Sequence, residues 1–355
     1  MEKYLKKCLL DFSNYKTVDT KEKYRINANE SPFNPGENPI LKKYFKEVIE
    51  NFNFNLYPDS SAKSLRTELS NYLSVGPEDI ICTNGADELI NLIILTFVEP
   101  GDKIIVHSPS FEMYEISSTI NYGEVIKIPD LKNYIVDSQS IIDAAKKNKA
   151  KLIFLCNPNN PTGYLIPDEE INKIISETDS IVVIDEAYVE FSEKEEVGLL
   201  NDRTIIIRTL SKLFGLAALR IGYGIGNPEI ISALNKVKPP YNLNGLTQEL
   251  ATVLLRNREN ILSQIDFFKT ERSRMISELR KLDYLTVYDS NTNFILIKIK
   301  DEYKSIILEN FKKNSILVKV YENKPELENC IRISLSDKNI NDLVIKSLSI
   351  GEYYE

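Results

Sequence analysis

At 355 residues, with 43% hydrophobic and 27% charged side chains, the chain has the composition of an ordinary globular protein large enough for two lobes. Its net charge of −8 argues against nucleic acid as a main partner, since a phosphate backbone needs a basic face, although a small anion needs only a few placed cations. Apolar stretches fall short of a membrane span, the N-terminus makes a poor signal peptide, and four scattered cysteines without a CxxC spacing read as buried small hydrophobes in a reducing cytoplasm.

The first 45 or so residues carry Pro32, Pro35 and Pro39 among many asparagines and read as an extended arm. From about residue 79, strand and helix patterns alternate. Strands are expected at Ile80–Thr83, Lys103–His107, Glu124–Ile128, Leu152–Cys156, Ile181–Ile184, Thr204–Arg208 and Arg220–Ile225. Between them, Glu88–Phe97, Ser138–Lys146 and Glu169–Ser176 are amphipathic. This order predicts an α/β fold whose large domain holds a mostly parallel sheet between helices, with ligands beyond the carboxyl ends of the strands. After about residue 245 come a long helical region (246–281), a strand at Asn293–Ile299, a helix near Tyr303–Lys312, strands at Ile316–Val320 and Cys330–Leu335, and a last helix. That pattern predicts a smaller α+β domain. The resulting division is an arm with part of the small domain over 1–45, a large domain over 46–250 and a small domain over 251–355.

The expected strand ends carry the chemistry. Asn84-Gly85-Ala86-Asp87 is either an ordinary tight turn or a phosphate site at a helix N-terminus. Phe111 follows the second strand and is either core or a ring-stacking aromatic. His107, the single histidine, reads as structural, and no multi-histidine metal site is possible. Two prolines and a glycine stiffen Asn157-Pro158-Asn159-Asn160-Pro161-Thr162-Gly163 and hold Asn160. Asp185 directly follows Ile181-Val182-Val183-Ile184, so it is either a helix cap or an apolar-flanked carboxylate needing a cation or proton donor. Its neighbour Glu186 should point the other way. Lys212 follows the strand Thr204–Arg208 and a Thr209-Leu210-Ser211 turn, well placed as an amine nucleophile, with Arg220 eight residues on. Gly222-Tyr223-Gly224-Ile225-Gly226 lacks the dinucleotide-binding spacing. A strand-end lysine, an apolar-flanked Asp, a rigid Asn, a phosphate turn and an aromatic together suit pyridoxal 5′-phosphate. The positive charge of Arg220 is expected to favour the neutral form of Lys212.

These segments, with Asn27-Ala-Asn-Glu30-Ser-Pro32-Phe and Tyr57-Pro58-Asp59, resemble the fold-type I pyridoxal-phosphate aminotransferases over nearly the whole chain, most closely the histidinol-phosphate aminotransferases. The resemblance implies that Lys212 is the Schiff-base lysine and proton-transfer base. It implies that Asp185 pairs with the ring nitrogen, that Asn160 and Tyr188 pair with the ring oxygen, and that Phe111 stacks on the ring. Gly85, Ala86, Asp87, Thr209, Ser211 and Arg220 would line the cofactor phosphate. Tyr57 would reach that phosphate from the partner subunit of a homodimer. Arg332, with Lys319, Asn160 and Glu30, would face the substrate. Lys319 stands where the histidinol-phosphate enzymes usually carry a second arginine, and lysine keeps the charge but loses the two-pronged geometry. The implied reaction transfers the amino group of histidinol phosphate to 2-oxoglutarate in histidine biosynthesis. An aromatic or broad-specificity aminotransferase is a rival within the class, and a threonine-phosphate decarboxylase-like lyase is one outside it. A non-catalytic cofactor sensor fits less well, since no basic DNA-reading extension is present.

Overall fold

The structure, a computed structural model, describes residues 2–10, 21–194 and 201–350. Its thirteen strands fall in chain order as β1 (Tyr24–Arg25), β2 (Ile80–Asn84), β3 (Lys103–Ser108), β4 (Glu124–Pro129), β5 (Leu152–Cys156), β6 (Ile181–Asp185), β7 (Thr204–Thr209), β8 (Ile221–Ile225), β9 (Leu285–Val287), β10 (Phe294–Ile299), β11 (Ile316–Leu317), β12 (Lys319–Val320) and β13 (Cys330–Ser334). β2 to β8 form one seven-stranded sheet in the order β2-β8-β7-β6-β5-β3-β4. Every neighbouring pair in it is parallel except the two made by β8.

Apart from edge strand β4, which is exposed or half-buried, the apolar runs that specify these strands are buried on both faces, as the pleat requires of a covered sheet. Ile105, Ile153, Leu155, Val182, Ile184, Ile206 and Tyr223 face one core. Their neighbours Ile104, Val106, Leu152, Phe154, Val183, Ile205 and Ile207 face the other, against Leu89, Ile90 and Ile93 of the helix Ala86–Phe97. The anticipated helices begin and end within about two residues of their observed limits, Ala86–Phe97, Ser138–Asn148 and Asp168–Glu177.

The direction of β8 decides what stands at the functional edge. Six strands present their carboxyl ends there, whereas antiparallel β8 presents its start. In register, Asn84 faces Ile221, and Thr209 faces Gly222. Arg220, just ahead of β8, is thereby set beside the Gly85 turn.

The other strands form a four-stranded sheet, β12-β13-β10-β9, and a parallel β1-β11 pair. Three details depart from the sequence reading. The arm ends at Asn38, whose Oδ1 accepts from Ile40 N (3.0 Å) and Leu41 N (3.2 Å) to start the helix Pro39–Asn51. The expected single strand Ile316–Val320 divides at Val318, because the arm takes its first half: Tyr24 N donates to Ser315 O and Ile26 N to Leu317 O, both at 2.9 Å. The helical region 246–281 is three helices, Gly245–Arg256, Glu259–Leu262 and Ile265–Leu279. At the first break the Asn257 side chain donates to Val253 O, and Asn260 to Asn257 O, so side chains compete with the ladder. Among the described residues no helix is long and apolar enough to cross a membrane.

Gly222 is the tightest point of the functional edge. A Cβ there would lie 2.3 Å from Gly85 C and 2.4 Å from Ala86 N, and backbone atoms cannot rotate away. Gly222→Ala is expected to cost about 1–3 kcal/mol. Urea unfolding should therefore show a lower midpoint with an unchanged slope.

Candidate active site

Lys212 follows β7 on a turn braced by Thr209, whose hydroxyl donates to Ile221 O (2.8 Å) and accepts from Ser211 N (3.1 Å). The Ser211 hydroxyl lies 3.0 Å from that of Thr209. The Lys212 ammonium donates to Ala28 O of the arm at 3.1 Å and stands 5.5 Å from the centre of the Tyr188 ring. Burial lowers its pKa to about 8, and the charge of Arg332 adds to that effect. Arg220, the charge singled out from the sequence, acts in the expected direction but contributes less than either, and Glu30 and Asp87 oppose the shift. The physical reason is that Arg220 is half-exposed and already faces Asp87.

Asp185 ends β6 at 3% exposure. Its Oδ1 accepts from Ala187 N at 3.0 Å and its Oδ2 from the Tyr114 hydroxyl at 2.7 Å. Burial raises this carboxyl to about 6, against the pull of those two donors. Glu186 does point away, into an ion pair with Arg208 (2.7 Å) and Lys194 (3.1 Å) beneath the opposite face. Tyr188 is buried, accepts from Asn29 Nδ2 at 2.9 Å, and meets Phe294 edge-on. Burial lifts its pKa above the ordinary phenol value.

The stiff loop after β5 is tied to the loop after β3 through Asn159. Its Nδ2 donates to Pro109 O (2.8 Å) and its Oδ1 accepts from Ser110 (3.0 Å). Phe111 and Asn160 are thus set by one side chain. His107 lies fully buried below, its Nδ1 3.1 Å from Asp130. Asn160 accepts from Arg332, which also donates to Asn27 O at 2.6 Å. Arg332 Nε is buried without a hydrogen-bond partner. Lys319 sits directly across the ladder from Arg332, and burial and that neighbouring charge both lower its pKa.

At the far side of the site, Gly85 has φ +82°, and a Cβ there would come within 2.5 Å of Arg220 Nη2. No side chain caps the helix that starts at Ala86. Asp87 lies 3.3 Å from Arg220. Two predicted residues stand apart. Glu30 pairs at 3.4 Å with Arg25, although its charge is felt at Lys212. Tyr57 is 80% exposed and stacks on Tyr241 at 4.5 Å, rather than entering the edge of its own chain.

The model of the family "Aminotransferase class I and II" matches residues 21–347. The chain belongs to the class I and II aminotransferases. As a member it acts on small molecules that bear an amino or an oxo group. It is 38% identical over 353 residues to a histidinol-phosphate aminotransferase of Caldanaerobacter subterraneus subsp. tengcongensis, covering 98% of each chain. It is 40% identical over 350 residues to one of Thermoanaerobacter pseudethanolicus, again with 98% of each covered. Among solved structures, the histidinol-phosphate aminotransferase from Sinorhizobium meliloti, in complex with pyridoxal-5′-phosphate, shares the fold with a TM-score of 0.82 at 24% identity, over 92% of this chain and 90% of that one.

Sequence reasoning passed over Tyr114 and Asn29, which hydrogen-bond Asp185 and Tyr188, and Asn159, which ties together the loops carrying Phe111 and Asn160. Asn29 and Asn159 lie inside recognised motifs, and Tyr114 is three residues past Phe111, so position alone was the available signal.

The low pKa of Lys212 is measurable in the cofactor-free aminotransferase. Acylation by an amine-selective reagent, read by peptide mass spectrometry across pH, should show a midpoint of about 8 at Lys212, against the ordinary lysine value of 10.5. Arg332→Gln should move the Lys212 midpoint upward, because it removes a charge that disfavours the ammonium.

Proposed function

We propose that this aminotransferase uses pyridoxal 5′-phosphate to move the amino group of histidinol phosphate to 2-oxoglutarate, giving imidazole-acetol phosphate and glutamate, as its named relatives suggest. The observation that carries the substrate is the pairing of Lys319 with Arg332. Like charges directly opposite on a ladder repel, and an anion between them relieves the repulsion. The unpartnered Nε of Arg332 also favours an anionic occupant.

The donor set fits the cofactor. An open helix start beside Arg220 and the backbone of Gly85 suits a phosphate. A buried carboxylate suits a protonated ring nitrogen, and a largely desolvated amine suits a carbonyl. When bound, the cofactor supplies an electrophilic carbon and a cationic ring that accepts an electron pair. In this reading Lys212 takes the proton from the substrate carbon and returns it nearby. Asp185 holds the ring-nitrogen proton. Tyr188 and Asn160 donate to the ring oxygen, and Phe111 covers one ring face. Gly85, Ala86, Asp87, Thr209, Ser211 and Arg220 bind the phosphate. Arg332 takes the carboxylate of glutamate or the phosphate of histidinol phosphate, Lys319 joins it for the latter, and Glu30 borders the substrate.

The same reading makes the protein a homodimer in which Tyr57 reaches the partner's cofactor phosphate. Its exposure, beside exposed Phe54, Leu56 and Tyr241, supports an apolar contact there. It also divides the chain at 1–45, 46–250 and 251–355, the second boundary falling inside the helix Gly245–Arg256. The cysteines of the described residues are free, in keeping with the cytoplasm.

Half-reaction spectra of the cofactor-loaded enzyme test the substrate. Histidinol phosphate should convert the cofactor, phenylalanine and tyrosine should do so weakly, and O-phosphothreonine should release no CO2. Preference for the unphosphorylated aromatics would overturn the reading. Lys212→Ala should abolish transfer. Lys319→Ala should raise KM for histidinol phosphate about ten- to a hundredfold, the loss of one charge-assisted hydrogen bond, while changing the glutamate half-reaction little.

A further inference from the structure

Among the described residues, the one donor to the Asp185 carboxylate from outside its own segment is a side chain, and it lies outside the family motifs read above. Tyr114 sits on the helix Met113–Ile120 and is fully buried. Its ring is stacked on Phe154 (centroids 4.8 Å, planes at 11°) and set edge-on to Phe111 (5.6 Å, 81°). That clamp leaves the hydroxyl aimed at Asp185 Oδ2, 2.7 Å away. The nearby Cys156 thiol donates to Pro158 O, so the Tyr114 proton belongs to the carboxylate. Burial pushes the Tyr114 phenol well above its ordinary pKa, and the hydroxyl therefore remains a donor throughout the working range.

We propose that Tyr114 is a positioning residue that holds Asp185 ionised, and aims it, for the cationic ring nitrogen of the cofactor; this rests on the role given to Asp185 above. A hydrogen bond to the charged form of an acid favours that form, and here it works against complete desolvation. The other groups facing Asp185 do not assist. Asp87 and Glu186 carry like charge and raise its pKa, even though they are paired with Arg220 and with Arg208 and Lys194. Cys156 and Tyr188 are neutral, since burial raises both. Tyr114 and Ala187 N are the opposing influences. The same ring touches Phe111, so the stacking aromatic and the carboxylate are referenced to one rigid side chain.

The test uses cofactor-free, full-length protein carrying [13Cγ]aspartate, with Asp185→Asn to assign the resonance. In wild type the Asp185 carboxyl should titrate near its value of about 6. In Tyr114→Phe, which keeps the ring and its packing, the midpoint should rise by about one to two pH units. Pyridoxamine 5′-phosphate, which cannot bond covalently to Lys212, is the second probe. Its affinity at pH 7 should fall about tenfold in Tyr114→Phe but change less than about twofold when Tyr114→Phe is added to Asp185→Asn. A midpoint unmoved by Tyr114→Phe, or an equal loss of affinity in the Asp185→Asn background, would overturn the proposal. A midpoint that moves while Asp185→Asn itself leaves the affinity unchanged would instead overturn the role of Asp185, and the purpose of Tyr114 with it.

Discussion

A carboxylate held away from water at the end of β6 is the constraint around which the site is organised. Burying an ionisable group without partners is costly enough that it would simply protonate. Asp185 avoids this with one donor on each oxygen, the Ala187 amide and the Tyr114 hydroxyl. Both donors need fixed surroundings. The amide is fixed by the turn that follows β6, and the hydroxyl by Phe154 and Phe111. The position of the aromatic loop, the helix after it and the strand beneath it thus follows from satisfying two oxygen atoms.

The opposite face of the same strand end has its own requirement. Glu186 and Arg208 are buried together, and a buried ion pair contributes registry more readily than net stability. Their contact joins β6 to β7 one residue past Asp185 and four before Lys212. Carboxylate and amine are in this way held on adjacent strands by a charge pair that neither of them joins. The balance at Lys212 is similar. Desolvation and Arg332 favour the free amine, while Glu30 and Asp87 retain the ammonium, and the result is a group poised near neutrality rather than locked in one state.

The arm binds the two sheets into one site. It pairs with β11, its Asn27 carbonyl receives Arg332, its Ala28 carbonyl receives Lys212, and its Asn29 side chain donates to Tyr188. Three consecutive residues therefore meet the Arg332 guanidinium, the Lys212 amine and the Tyr188 phenol. A bent segment outside any strand or helix can do this because its carbonyls are not tied into a ladder, and Asn29, at φ +56°, turns the chain between them. A helix would have hidden its carbonyls in its own ladder.

Much of this was legible in the chain itself, for a physical reason. Strands buried on both faces, such as β5, β6 and β7, announce themselves as short apolar runs, and a lysine, an aspartate or a stiffened asparagine just after such a run has to emerge at a sheet edge. Lys212, Asp185, Asn160 and Gly85 are local consequences of local patterns. What depends on pairing between distant segments could be decided only by the tertiary structure. Antiparallel β8 turned Arg220 toward Gly85, and the ladder of β12 with β13 set Lys319 against Arg332. The arm captured half of an expected strand, and Tyr114 met Asp185 across 71 residues. A hydrogen bond or a like-charge encounter at such separation leaves no periodicity in the sequence, because its geometry is fixed by how whole sheets and helices cover one another.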